Sequence, residues 1–180
     1  MNVWLDDPTP RIESVFRRIG RESFADIDLC NRALEVRAVG FAPREHGWSG
    51  IVITPWFLNL MLFPSTSAWQ HLGVGERRIL ELPAGSFEVL GGEDGELGEY
   101  AYCPMFSTMS LFESQREAVE VAEELIRQLT DPVTADVVRQ RNPTGLQWNA
   151  PPAESTVEFH PARRDFLRGR AAAAGCANGE

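Results

Sequence analysis

The chain of 180 residues carries 17 basic residues, all arginine, against 26 acidic ones, for a net charge of −9. That length allows one domain with a core of its own, and the acidic balance argues against general nucleic-acid binding, which needs clustered positive charge. Cys30, Cys103 and Cys176 are odd in number and far apart, so they do not read as a secreted disulfide framework.

The amino terminus, Met1-Asn2-Val3-Trp4-Leu5-Asp6-Asp7-Pro8, has no basic n-region, apolar h-region or small-residue cleavage site, so no secretion leader is expected. Residues 10–29 place Ile12, Val15, Phe16 and Ile19 on one helical face, with Pro10 suited to a first turn. Leu34, Val36 and Ala38 then alternate with Glu35 and Arg37, predicting a strand with one buried face that continues into Val39-Gly40-Phe41.

The segment from Trp48 to Pro64 is too apolar to alternate, which predicts central strands covered on both faces and divided at Pro55. Thr54, Pro55 and Asn59 interrupt its most apolar part, which is shorter than the ~20 residues a membrane-spanning helix needs, so a soluble chain without membrane insertion is expected. Further strands are predicted at Arg78 to Leu82, Ser86 to Leu90 and Glu99 to Cys103. Turns are predicted at Pro83-Ala84-Gly85 and at the acidic, glycine-rich Gly91-Gly92-Glu93-Asp94-Gly95. Such short connections imply an antiparallel meander.

From Ser114 the period becomes helical: Ala118, Val119, Ala122, Leu125, Ile126 and Leu129 form one stripe, Ser114 and Glu117 read as a capping box, and Asp131-Pro132 ends the helix. The fold class expected is therefore α+β, an antiparallel meander-like sheet with flanking N- and C-terminal helices at its edges. Residues 1–132 form a single domain, and residues 133–180 an extended, partly disordered segment.

That segment holds Arg163-Arg164-Asp165-Phe166-Leu167-Arg168, which reads like a twin-arginine export motif placed near the wrong end of the chain. Residues 160–180 carry four arginines against Asp165 and Glu180, or +2, leaving −11 for residues 1–159. A basic tail follows an acidic body. An accidental basic tail and an imitation of an export signal both fit these residues.

Chemistry for catalysis is sparse. His46, His71 and His160 lack partners at zinc-ligand spacing, and no phosphate loop, dinucleotide fingerprint or nucleophile elbow occurs, so no metal or cofactor is expected. Cys103 suits either a thiol meeting a metal cluster or a small core residue. An enzyme would have to assemble Cys103, His71 and a carboxylate such as Glu81 or Glu99 in space. More conspicuous is the aromatic and methionine content, which suits a groove for apolar peptide or a large core. Trp48, Trp56, Phe57, Asn59, Met61, Met105 and Phe106 are accordingly the candidate partner-binding residues, with Asn59 either a structural hydrogen bonder or a specificity contact. Arg163, Arg164, Phe166, Leu167 and Arg168 form a candidate tail motif.

The string Gly47-Trp48-Ser49-Gly50-Ile51-Val52-Ile53-Thr54-Pro55-Trp56-Phe57-Leu58-Asn59-Leu60-Met61-Leu62-Phe63-Pro64, with Val39-Gly40-Phe41, Leu82-Pro83-Ala84-Gly85 and the terminal Arg-Arg-Asp-Phe-Leu-Arg-Gly, resembles the HybE/HupJ-type [NiFe]-hydrogenase assembly chaperones. The likeness spans about residues 8–132 and the tail. It implies a cytoplasmic, non-catalytic accessory protein. The implied partner is the small-subunit precursor of the hydrogenase, which bears iron–sulfur clusters and a twin-arginine signal. The large subunit and other maturation proteins are further candidates, and the implied role is to delay export or protect cofactor assembly until the enzyme is complete. A scaffold that binds the folded subunit without reading its signal, or a small α+β enzyme, are the alternatives.

Overall fold

The structure is a computed structural model that describes residues 4–24, 30–45, 47–65 and 69–131. Helix α1 (Thr9–Ser23) precedes strands β1 (Arg37–Arg44), β2 (Gly47–Ile53), β3 (Leu58–Phe63), β4 (Arg77–Leu82), β5 (Gly85–Asp94) and β6 (Gly98–Phe106), and helix α2 (Gln115–Thr130) follows. All pairings are antiparallel, and the strand order is β1-β2-β3-β6-β5-β4. Two three-stranded meanders are thus joined through β3 and β6, giving the expected α+β class.

The helices lie on the two faces of this sheet, both toward its β1 edge. Helix α2 sits over β1 and β2 and packs Ala118, Ala122, Ile126 and Leu129 against Val39, Ile51, Ile53, Leu58, Leu60 and Leu62. Helix α1 packs Ile12, Val15 and Phe16 on the other face, against Ala38, Val52, Met61 and Phe63. Each of the larger side chains among them, the Val, Leu, Ile, Phe and Met, contributes about 1.5–3 kcal/mol when removed from water. Coverage on both sides is why β2 and β3 are nearly unbroken apolar runs, as expected from their sequence. It also corrects the expectation for β1, where Ala38 and Val39 are buried on opposite faces.

Local chemistry sets the element ends. Asp7 Oδ1 accepts the Thr9 N–H at 2.9 Å at the start of α1, and the helix closes where the Phe24 N–H meets Gly20 O, short of the predicted extent to residue 29. Ser114 Oγ accepts the Glu117 N–H, while the Glu117 carboxylate reaches back to the Glu113 N–H at 2.8 Å, one residue beyond the cap itself. The register of β1 on β2 shifts between Val39 and Ala42, at Gly40 with φ 65°. Arg44 fills the bulge by donating to Ser49 O and Oγ.

The turn expected at Gly91-Gly92-Glu93-Asp94-Gly95 is displaced, because β5 runs on to Asp94. These glycines answer a need for space: a Cβ on Gly91 would sit 2.1 Å from Gly73 O, and one on Gly92 would sit 2.4 Å from the Tyr100 ring. The chain reverses instead after Asp94, whose Oδ1 accepts the N–H groups of Glu96 and Leu97.

Candidate partner-binding site

The link from β2 to β3 is a hairpin tip shaped by one side chain. Thr54 Oγ1 accepts the N–H groups of Trp56 and Phe57 at 3.2 and 2.9 Å, and donates to Phe57 O at 3.0 Å. With Pro55 between, the tip turns both aromatic rings back toward α1. Trp56 stacks on Phe24 with centroids 4.3 Å apart, and Phe57 meets the Phe16 ring edge-on at 5.5 Å. Gly20 lets the Trp56 indole lie on the helix, since a Cβ there would come within 3.1 Å of the ring.

Two polar atoms in this region are buried without a hydrogen-bond partner among the described residues: Trp56 Nε1, a donor, and Asn59 Oδ1, an acceptor. Asn59 lies on β3 between Val52 and Pro104, with only 7% of its surface exposed. Native proteins rarely leave such groups unpaired, because each costs about 1–3 kcal/mol.

The residues singled out from sequence divide between the two faces. Trp48, Trp56, Phe57 and Met61 belong with α1, whereas Met105 and Phe106 pack on the α2 side, Phe106 edge-on to Phe112 at 5.4 Å. Met61 is fully buried core. Trp48 is half-buried, and its Nε1 donates to Trp4 O at 3.1 Å, tying the amino-terminal segment to β2. The candidate residues therefore do not share one face of the sheet, and those at the hairpin tip lie on the α1 side. The tail residues Arg163, Arg164, Phe166, Leu167 and Arg168, the boundary at residues 132/133, and His46, His160 and Cys176 lie outside the described residues.

The groups that an enzyme would need do not form a reactive set. Burial, with the nearby Glu88 charge, pushes the Cys103 thiol up to about 11, the reverse of an activated nucleophile. Glu99 does meet His71, Oε2 to Nδ1 at 2.9 Å, but the same carboxylate accepts the Trp69 Nε1–H at 2.9 Å and the Leu72 N–H at 2.7 Å. It anchors the link between β3 and β4 onto β6. Glu81 accepts from Ser86 Oγ at 2.8 Å. Among the described residues no cluster of three or more His, Cys, Asp or Glu could hold a metal, and no helix is long and apolar enough to cross a membrane.

A cavity of about 280 Å³ opens on the α2 side near β4, walled by Leu62, Trp69, Leu72, Leu80 and Val89. Sequence reasoning missed it because its walls come from four separate elements. The orphaned pair Trp56 and Asn59 was only half visible: a polar residue inside an apolar run marks Asn59, but nothing in the sequence marks the indole.

Comparison with known proteins places this architecture. Residues 7–169 match the family described as "[NiFe]-hydrogenase assembly, chaperone, HybE". The chain is 34% identical over 155 residues to the hydrogenase expression/formation protein HupJ of Bradyrhizobium diazoefficiens, covering 86% of this chain and 83% of that one. It is also 34% identical over 115 residues to a probable rubredoxin HupJ of Rhodobacter capsulatus; that match covers 63% of this chain but 41% of the relative, less than half its length. The solution structure of HybE from Escherichia coli superposes with a TM-score of 0.60 at 27% identity, covering 72% of this chain and 80% of that one. Taken with the superposed fold, these matches establish that the chain belongs to the HybE family of [NiFe]-hydrogenase assembly chaperones and has its role in hydrogenase maturation.

Proposed function

We propose that the chain binds the precursor of a hydrogenase small subunit in the cytoplasm, reading its twin-arginine leader at the tip of the hairpin between β2 and β3, and holds it back from export until assembly is complete. The observation that carries this reading is the orphaned pair of Trp56 Nε1 and Asn59 Oδ1 beside half-buried aromatic rings. Peptide main chain offers the complementary carbonyl and N–H. A small displacement of the Trp56 and Phe57 rings lets a bound segment satisfy both groups, so part of the cost of opening is returned on binding.

At long range a body of net −11 over residues 1–159 attracts a cationic leader, and the aromatic rings of the tip suit the apolar stretch that follows its paired guanidiniums. Helix α1 beside the tip carries Arg11, Arg17, Arg18 and Arg21 against Glu13 and Glu22, so the guanidiniums are met elsewhere on that body. The chain's own Arg163-Arg164-Asp165-Phe166-Leu167-Arg168 copies that ligand, and being tethered it competes at high effective concentration when no client is present.

Calorimetric titration of the leader peptide into the full chain, and into a form truncated after Pro161, tests both statements. Tighter binding after truncation is expected. Equal, weak binding to both forms would overturn leader recognition and move the client contact to the folded subunit.

A further inference from the structure

The two edges of the sheet are finished differently. At β1, Glu13 Oε1 accepts the Ala38 N–H at 3.0 Å, and Arg17 reaches Val36 O at 3.4 Å. Just ahead of the strand, Gln115 Oε1 accepts the Glu35 N–H at 2.8 Å. Helix side chains thus occupy that edge, a common protection against unwanted strand pairing.

Among the described residues β4 is the opposite edge. The Gly91 N–H donates to Glu76 O at 2.8 Å, which fixes the alternation of the β4–β5 ladder. Main-chain groups of Arg78 and Leu80 then point toward β5, and those of Arg77, Ile79 and Glu81 point outward. The same three residues share one face, where Ile79 stands 57% exposed between its charged neighbours.

We propose that β4 pairs antiparallel with β4 of a second copy of this chain, about a twofold axis through Ile79. A twofold perpendicular to the sheet keeps residues of one face opposite one another. Ile79 then faces Ile79 of the second copy, and Arg77 faces Glu81 of the second copy on either side. The outward N–H and C=O groups of Ile79 pair with those of its counterpart in this register, the exposed isoleucines cover each other, and Arg77 faces Glu81 of the second copy while keeping its own-chain contact with Glu88 at 2.9 Å. Shifting one residue toward the strand start sets Arg78 against Arg78, and shifting one residue the other way places Ile79 against Glu81 and loses the charge pairing. The strand sequence Arg77-Arg78-Ile79-Leu80-Glu81-Leu82 is therefore self-complementary in one register. A strand pair of this length buries less than the ~1,600 Å² of a standard stable interface, so the dimer is weak and dissociates on dilution.

Sedimentation equilibrium of the full chain between about 10 μM and 1 mM, where binding free energies of about −7 to −4 kcal/mol are read, tests the pairing. A concentration-dependent dimer is expected for the native sequence. Arg77→Glu and Glu81→Arg each place like charges opposite one another and are expected to be monomeric throughout the range. A one-to-one mixture of these two variants restores complementarity at both positions and is expected to form the heterodimer. Near-ultraviolet circular dichroism verifies that each variant is folded, and Ile79→Lys serves as a third disrupting variant should one of them fail. A native chain that stays monomeric at about 1 mM, a dimer that survives both single reversals, or a mixture that stays monomeric would each overturn the proposal.

Discussion

Glu13 on α1 and Ala38 on β1 are joined by a hydrogen bond in which the carboxylate Oε1 accepts the strand's main-chain N–H at 3.0 Å. Glu13 is almost fully buried and also receives Arg17 at 2.6 Å, so its charge is matched within α1 while its second oxygen serves the sheet. Glu13→Ala should lower stability by about 1–3 kcal/mol, because a buried N–H is left without a partner. Glu13→Gln, which keeps an oxygen at the same place, should lose less. Urea denaturation measures the difference, and hydrogen exchange at Ala38 locates it; an alanine variant as stable as the native chain would show that water satisfies the edge instead.

Gly91 offers a sharper steric test. Its missing Cβ leaves room for the main-chain oxygens of Gly73 and Leu72, which would lie 2.1 and 2.5 Å from an alanine methyl. Neither oxygen belongs to a side chain that can swing away, so Gly91→Ala should cost about 3 kcal/mol or more. Gly95, which has open space around it, should accept alanine with little change. Equal melting temperatures for the two variants would contradict this account of why β5 carries glycines.

The strap that ties residues 69–72 to β6 is expected to depend on pH in both directions. Burial alone would raise the Glu99 pKa, but hydrogen bonds from His71, Trp69 and the Leu72 N–H outweigh it and hold it below the ordinary 4.5. The hydrogen bond to Glu99, aided by its charge, raises His71 above the ordinary 6.5. A raised histidine adds stability that is complete below 6.5 and lost as pH climbs through the folded value. A depressed carboxylate adds stability that is complete above 4.5 and lost as pH falls through the folded value. The strap is therefore firmest between pH 4.5 and 6.5. Thermal unfolding across pH should show the acid-side loss diminished in Glu99→Gln and the alkaline-side loss, small because His71 is exposed, absent in His71→Ala. A Glu99→Gln profile that superimposes on the native one would refute the assignment.

Much of this architecture is legible in the chain because apolar spacing is a local property. The stripe of Ala118, Ala122, Ile126 and Leu129 predicts α2 with its cap, and the unbroken run across Ile51–Ile53 and Leu58–Phe63 predicts strands covered on both faces. What could not be read depends on which elements meet. The join of β3 to β6 is a long-range pairing without a turn to announce it. Gly91-Gly92 carries turn chemistry in its composition, yet close approach of Gly73 and Tyr100 makes it strand. The aromatic residues suggest one surface by their shared chemistry, not by nearness in the chain, whereas alternation and the register shift at Leu58/Asn59 send Phe106 to the face opposite Asn59.

Cys103 separates a thiol that serves chemistry from one that fills space. It sits on β6 opposite Leu60, buried in the α2-side core, with its pKa pushed up to about 11. In the folded chain it should resist a thiol reagent at neutral pH and react only at the rate of global opening. Labelling with and without urea, read by mass spectrometry at this residue, checks the expectation. Rapid modification in the native state would reopen a role for Cys103 in handling clusters.

Asn59 places stability and function in opposition. Its Oδ1 is buried without a described partner, so replacing the side chain by leucine of similar size removes a desolvation cost while retaining volume. Asn59→Leu should therefore leave unfolding stability within about 1 kcal/mol of the native chain or raise it slightly. If the same oxygen receives a client N–H once the hairpin tip opens, the variant should bind the leader peptide about 10-fold more weakly, a loss of about 1.4 kcal/mol. The paired measurement distinguishes the roles: a destabilised variant with normal affinity would make Asn59 a structural hydrogen bonder, whereas a stable variant with weakened affinity assigns the oxygen to recognition. Trp56→Phe, which deletes the orphaned N–H while keeping an aromatic ring against Phe24, should show the same pattern in milder form.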